Sequence, residues 1–142
     1  MNDQDFKLLG KAGKFSDNPD KSLLDTWTND FTDRDYLIQF DCHDFTSLCP
    51  VTGQPDFATI YIRYIPNDLC IETKSLKYYL HAFRNTQAFN EKVINRIAND
   101  IIAVIDPKWL RIRGEFAARG GIELTTVVEH PSIDPSKLGF NE

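Results

Sequence analysis

Apolar residues recur along this chain with two different periods, and the places where one gives way to the other mark out its elements. Tyr36 to Phe40 and Phe57 to Ile65 are dense in β-branched and aromatic residues and read as two strands. After the turn Pro66-Asn67-Asp68, a short strand-like piece from Leu69 to Glu72 leads into Ser75 to Phe83, which reads as a helix. Ile94, Ile97, Ala98, Ile101, Ile102 and Ile105 then fall on one helical stripe, with Lys92, Asn95, Arg96 and Asn99 opposite and Asp106-Pro107 as the stop. From Trp109 to Phe116 the period returns to two: Leu110, Ile112, Gly114 and Phe116 face one way, Arg111, Arg113 and Glu115 the other. Ala118 to Gly121 is a turn, and Ile122 to Val128 forms the fourth main strand.

The predicted order is β-β-α-α-β-β, an α+β fold with an antiparallel sheet and two helices on one face. Residues 1–34, polar and without a sustained period, read as an N-terminal arm; 35–130 form a single domain, and 131–142 a C-terminal tail. A four-stranded sheet has two open edges, which association removes, so a homo-oligomer joined edge to edge is expected.

Charge and cysteine usage narrow the partners. A net charge of −5 argues against a general nucleic-acid binder, since such affinity is mostly phosphate neutralisation. No apolar run approaches the ~18 residues of a membrane span, and Met1 to Asp5 lacks the character of a signal peptide, so a cytoplasmic protein with no membrane partner is expected. Cys42, Cys49 and Cys70 form no CxxC pair and suit a reducing compartment. His43, His81 and His130 show no ligand spacing, so no metal is expected.

The stretch richest in potential chemistry is the Pro- and Gly-punctuated loop holding Cys49 and, seven residues on, Asp56. A thiol acts as a nucleophile only as thiolate and needs a proton acceptor nearby. From residue type alone, Cys49 reads equally as a small buried hydrophobe and Asp56 as a turn carboxylate. Lys74 and Lys77, three apart, share a helical face and suit either a phosphate clamp or a solvated first turn. Arg119-Gly120-Gly121 permits close approach of a ligand and equally a tight hairpin. Glu91 is either a ligand anchor or an acid favoured in a first helical turn. There is no GxGxxG, so any dinucleotide site is not Rossmann-like.

Three segments, FTSLCPVTGQPDFATIYIRYIP (45–66), IETKSLKYYLHAFRN (71–85) and ARGGI (118–122), resemble the NADPH-dependent 7-cyano-7-deazaguanine (preQ0) reductases of queuosine biosynthesis. The likeness covers roughly 35–123. It implies the tunnelling fold and an oligomeric barrel, a decamer of two pentamers with active sites between subunits. It also implies NADPH as cofactor and reduction of the preQ0 nitrile to an aminomethyl group. Carried over position by position, the resemblance makes Cys49 the nucleophile that forms a thioimide and Asp56 the proton donor. Ile71, Glu72 and Thr73 become substrate contacts, Glu91 the anchor of the guanine-like edge, and Lys74, Lys77 and Arg119 cofactor contacts. Such an edge offers two parallel N–H groups, which one carboxylate accepts.

Three positions depart from the family pattern, the mildest being Thr73, which stands where Ser or Leu is usual. Asn90 stands where the family has His before the glutamate; it can hydrogen-bond the substrate but carries no proton near neutrality. Val93 replaces a second cysteine found in some members, so no disulfide from Cys49 to that position is expected. Two other functions are compatible with the same loop. One is an amidinotransferase-like enzyme in which an amine attacks the thioimide, which the retained Lys74 and Lys77 disfavour. The other is a deazapurine-binding protein without turnover.

Overall fold

The computed structural model describes residues 15–134 and 136; the first 14 residues of the expected arm and most of the expected tail lie outside the described residues. The strands are β1 (Thr26–Thr28), β2 (Ile38–Leu48), β3 (Pro55–Ile65), β4 (Leu69–Ile71), β5 (Trp109–Arg119) and β6 (Ile122–His130). Helix α1 spans Thr73–His81, continues as a 3-10 turn over Ala82–Asn85, and is followed by α2, Asn90–Ile105. The four long strands form one antiparallel sheet in the order β2-β3-β5-β6, with β2 and β6 as its outer strands, while β1 and β4 pair separately.

Packing follows the two periods. Ile60, Ile62, Tyr64, Leu110 and Ile112 are fully buried on one face of the sheet, where they meet Val93, Ile94, Ile97, Ala98, Ile101 and Ile105 of α2. Gly114 is the inward position at which that contact is tightest. A Cβ built there would lie 2.8 Å from Ile94 Cγ1, so any side chain at this position would force Ile94 to move. The opposite face is polar: Tyr61, Arg63, Arg111, Arg113 and Glu115 line a shallow cleft of about 410 Å³.

Strand β2 runs eight residues past the expected end at Phe40, through what the sequence suggests is loop. The reason is a bulge. Pairing with β3 shifts register between Cys42 and Phe45, and Asp44 takes a left-handed φ of 61°. Ile38, Phe40 and Cys42 are half-buried and Phe45 and Ser47 buried, two inward sets out of step by one residue, so strict alternation hides the second half.

Part of the expected irregular lead-in is likewise built into the body. Leu24 is buried, and β1 pairs with β4 through Thr26↔Ile71, Trp27↔Cys70 and Thr28↔Leu69. The Asp25 N–H donates to Ser75 Oγ at 2.9 Å, and Arg96 of α2 donates to the Pro19 carbonyl. A three-residue strand leaves no period to read.

Candidate active site

Strands β2 and β3 are joined by a six-residue loop closed on itself: the Cys49 N–H donates to the Gln54 carbonyl (2.8 Å) and the Gly53 N–H to the Cys49 carbonyl (2.9 Å). Gly53 has φ of 72°, a conformation that disfavours a side chain. Cys49 therefore sits half-buried at the mouth of a turn closed by its own backbone hydrogen bonds. Beyond the turn, register places Asp56 opposite Ser47, and both are buried on the helix-facing side of the sheet.

The third member arrives from β5. Gly120 and Gly121, with φ of 56° and 79°, make the tight hairpin that ends this strand at Arg119. Arg119 Nε lies 2.9 Å from Asp56 Oδ1, and Nη2 donates to the Gln54 carbonyl at 3.2 Å. The Gln54 carbonyl that accepts from Arg119 also accepts from the Cys49 N–H, so the guanidinium lies against the Cys49 turn, and the thiol beside it favours the charged form of the arginine.

These surroundings shift the thiol. Its pKa falls from an ordinary 9.0 to about 6, chiefly through the Thr52 hydroxyl, then the Thr52 N–H, Arg119 and the Val51 N–H, with partial burial opposing. Cys42 goes the other way, pushed up to about 11 by burial and then by Asp41. Thr52 is a site residue that sequence reading misses; the available signal was a hydroxyl three residues beyond a candidate nucleophile inside a tight turn.

Asn90 and Glu91 reach this neighbourhood by a short strand-like pairing. The Leu48 N–H donates to the Thr86 carbonyl (2.9 Å) and the Ala88 N–H to the Leu48 carbonyl (3.1 Å), so residues 86–88 run parallel to the end of β2. The first turn of α2 thus begins beside the Cys49 loop. Asn90 Oδ1 is buried there with no partner, an acceptor awaiting a donor, while Glu91 is exposed.

Ile71 to Lys77 lie elsewhere. The Ile71 N–H donates to Tyr64 Oη, eight residues beyond Asp56 along β3, a separation of roughly 20 Å or more at ~3.3 Å per strand residue. The Ile71 side chain is in the core. Glu72, expected at the substrate base, is the N-cap of α1: its two carboxylate oxygens accept from the Lys74 and Ser75 N–H groups, each at 2.7 Å. Thr73 and Lys77 are exposed, Lys74 is half-buried, and the Lys77 ammonium sits 5.8 Å over the Phe15 ring. Thr73 and Lys77 also line a cleft of about 480 Å³ between α1 and the middle of β2. Among the described residues, no group of three or more His, Cys, Asp or Glu side chains could hold a metal ion.

A family model described as "QueF-like protein" matches residues 55–135. A protein of Bacillus pumilus is 53% identical over 120 residues, covering 82% of this chain and 72% of its own length. The chain belongs to the QueF-like family. That relative is named NADPH-dependent 7-cyano-7-deazaguanine reductase, as is one from Neisseria meningitidis serogroup C, 46% identical over 96% of this chain and 84% of its own length. Among solved structures, the QueF-like archaeosine synthase in its apo form superposes with a TM-score of 0.64 over 69% of this chain and 96% of its own. At 17% identity it shows the common fold alone, an α+β tunnelling fold. No helix among the described residues is long and apolar enough to cross a membrane.

Proposed function

We propose that this chain is an NADPH-dependent 7-cyano-7-deazaguanine reductase in which Cys49 captures the nitrile before hydride arrives. The observation that carries the reading is the Cys49–Arg119–Asp56 cluster: a thiol shifted to about 6, so ionised at neutral pH, beside a buried carboxylate. A nitrile accepts hydride poorly. When the thiolate lone pair forms the C–S bond, one C–N π pair moves to nitrogen, which takes up a proton and leaves a thioimide. Hydride from NADPH then adds to that carbon, loss of the thiolate gives an imine, and a second NADPH and proton complete the aminomethyl group. In this reading Asp56 supplies the protons to nitrogen.

The remaining roles follow the family positions. Asn90 offers its orphaned acceptor to a substrate N–H and leaves proton transfer to Asp56, Glu91 accepts the guanine-like edge, and Ile71 to Thr73 contact the base. Lys77, which lines the α1–β2 cleft, and Lys74, one turn before it, hold cofactor phosphate. The test is direct: pure protein with preQ0 oxidises two NADPH for each preQ0 consumed, and absence of oxidation refutes the reading.

A site built this way needs a second copy. Cys49 and Ile71 to Thr73 sit at opposite ends of one sheet, a gap that no deazapurine bridges, so the two halves meet when the Cys49 end of one chain abuts the α1 end of another. Val51, Phe57, Phe89 and Ile122 support this, leaving large apolar side chains in solvent around the Cys49 end. The 11-residue β2 and nine-residue β6, both outer strands, offer edges for pairing into a ring, up to two stacked pentamers. Sedimentation should give an oligomer at micromolar concentration whose dilution to monomers abolishes turnover; an active monomer would overturn the shared site.

A further inference from the structure

We propose that Arg119 is the shared counter-ion of the site, one guanidinium set between the Cys49 loop and the Asp56 carboxylate that serves both anions, and so part of the catalytic machinery in addition to the cofactor contact that the resemblance implies. The inference deepens the reductase reading and rests on it for the reaction, but its geometry stands without it. Arg119 Nε is 2.9 Å from Asp56 Oδ1, its Nη2 is on the Gln54 carbonyl at 3.2 Å, and its contact with Cys49 is the main influence holding the arginine in its charged form. Two arms of the fork are thus turned toward the Cys49 loop and Asp56, and its remaining N–H donors face outward.

The position follows from the fold. Arg119 is the last residue of β5 before a two-glycine turn, and the turn fixes where the strand ends relative to the Cys49 loop. Its Gln54 contact ties it to the carbonyl that also closes that loop on the Cys49 N–H. The guanidinium therefore reads the shape of the nucleophile turn directly.

Charge bookkeeping around the sulfur gives the role its sign. The hydroxyl and N–H of Thr52 and the N–H of Val51 stabilise the thiolate without carrying charge. The charged groups facing it are Arg119 from β5 and Asp56 from β3, with Glu91 on the exposed first turn of α2 beside the loop. Arg119 is thus the one cation of the cluster, and it is divided between two anions. Removing the cation must raise the thiol pKa; removing the competing carboxylate must leave it unchanged or lower it.

The experiment reads the thiol alone, without preQ0 or NADPH: iodoacetamide alkylation of Cys49 against pH, followed by intact mass, on the oligomeric protein. For the wild type the midpoint is expected at about 6. Arg119→Gln is expected to move it up by about one pH unit, which slows alkylation roughly fivefold at pH 6 and leaves it unchanged at pH 9. Arg119→Lys, which keeps the charge without the fork and guards against a glutamine variant that fails to fold, should fall between. Asp56→Asn should leave the midpoint in place or lower it. An unmoved midpoint in folded Arg119 variants, with only the KM for NADPH raised, would make Arg119 a cofactor contact alone and overturn the proposal. A raised midpoint in Asp56→Asn would make Asp56 the base that ionises the thiol, and would also overturn the proposal. Failure of the reductase reading would show separately, as absent NADPH oxidation with these midpoints intact.

Discussion

Cys49→Ala protein folds, assembles and shows no measurable preQ0-dependent NADPH oxidation, a loss of at least about 10³-fold. The expectation is this large because the thiol is not one of several stabilising contacts: it changes the electrophile. Without the C–S bond, hydride must add to a nitrile carbon that nothing has activated, and no other described side chain beside Asp56 and Arg119 has a nucleophile of comparable acidity. Cys42 is held at about 11 and so stays a thiol at neutral pH, and Cys70 is fully buried with its pKa also raised by desolvation. Cys49→Ser should be equally inactive, since a hydroxyl in the same turn does not ionise near neutrality. Intact mass gives the second readout: wild type with preQ0 and no NADPH gains the mass of one preQ0, the adduct vanishes in both variants, and NADPH discharges it in the wild type. Turnover in Cys49→Ala within tenfold of wild type would mean that reduction proceeds without covalent capture.

Which parts of this arrangement are readable in the residues depends on how local the cause is. The α2 stripe and the alternation from Leu110 to Phe116 are set by burial within one element, and the structure reproduces both, down to Gly114 as an inward position. The second half of β2 is not readable, because two bulge residues, His43 and Asp44, put Phe45 and Ser47 out of phase with Ile38, Phe40 and Cys42. Strand β1 is too short for any period, and its stability comes from β4 and α1, more than 40 residues away.

The site divides along the same line. That Cys49 and Asp56 flank one tight hairpin is a consequence of seven-residue spacing, and the spacing is in the sequence. That Arg119 joins them is set by the β3–β5 register and a two-glycine turn, neither of which the residue types reveal. Lys74 and Lys77 are correctly placed on one helix, yet only the strand pairing shows that this helix begins at the far end of the sheet from Cys49, which is why the site proposed above takes residues from two chains.

Asp56→Asn should separate capture from reduction. Asparagine matches the carboxylate in size and can still accept from Arg119, so the turn and the buried position opposite Ser47 are kept; what is lost is the ability to carry a proton. Capture needs a thiolate, and Arg119, relieved of its competing anion, still supplies the cation, so the preQ0 adduct forms. Reduction needs protons at nitrogen as the C–N bond is reduced, and Asn90, at the position where the family has histidine, carries no proton near neutrality with which to stand in for Asp56. A loss of about 10²–10³-fold in turnover is therefore expected, within the range a positioned general acid contributes. The adduct should accumulate to one per chain in the presence of both preQ0 and NADPH, where wild type shows none at steady state. If Asp56→Asn instead abolished the adduct while Cys49 alkylation was unchanged, protonation of nitrogen would be part of capture itself, and Asp56 would act at the first bond formed.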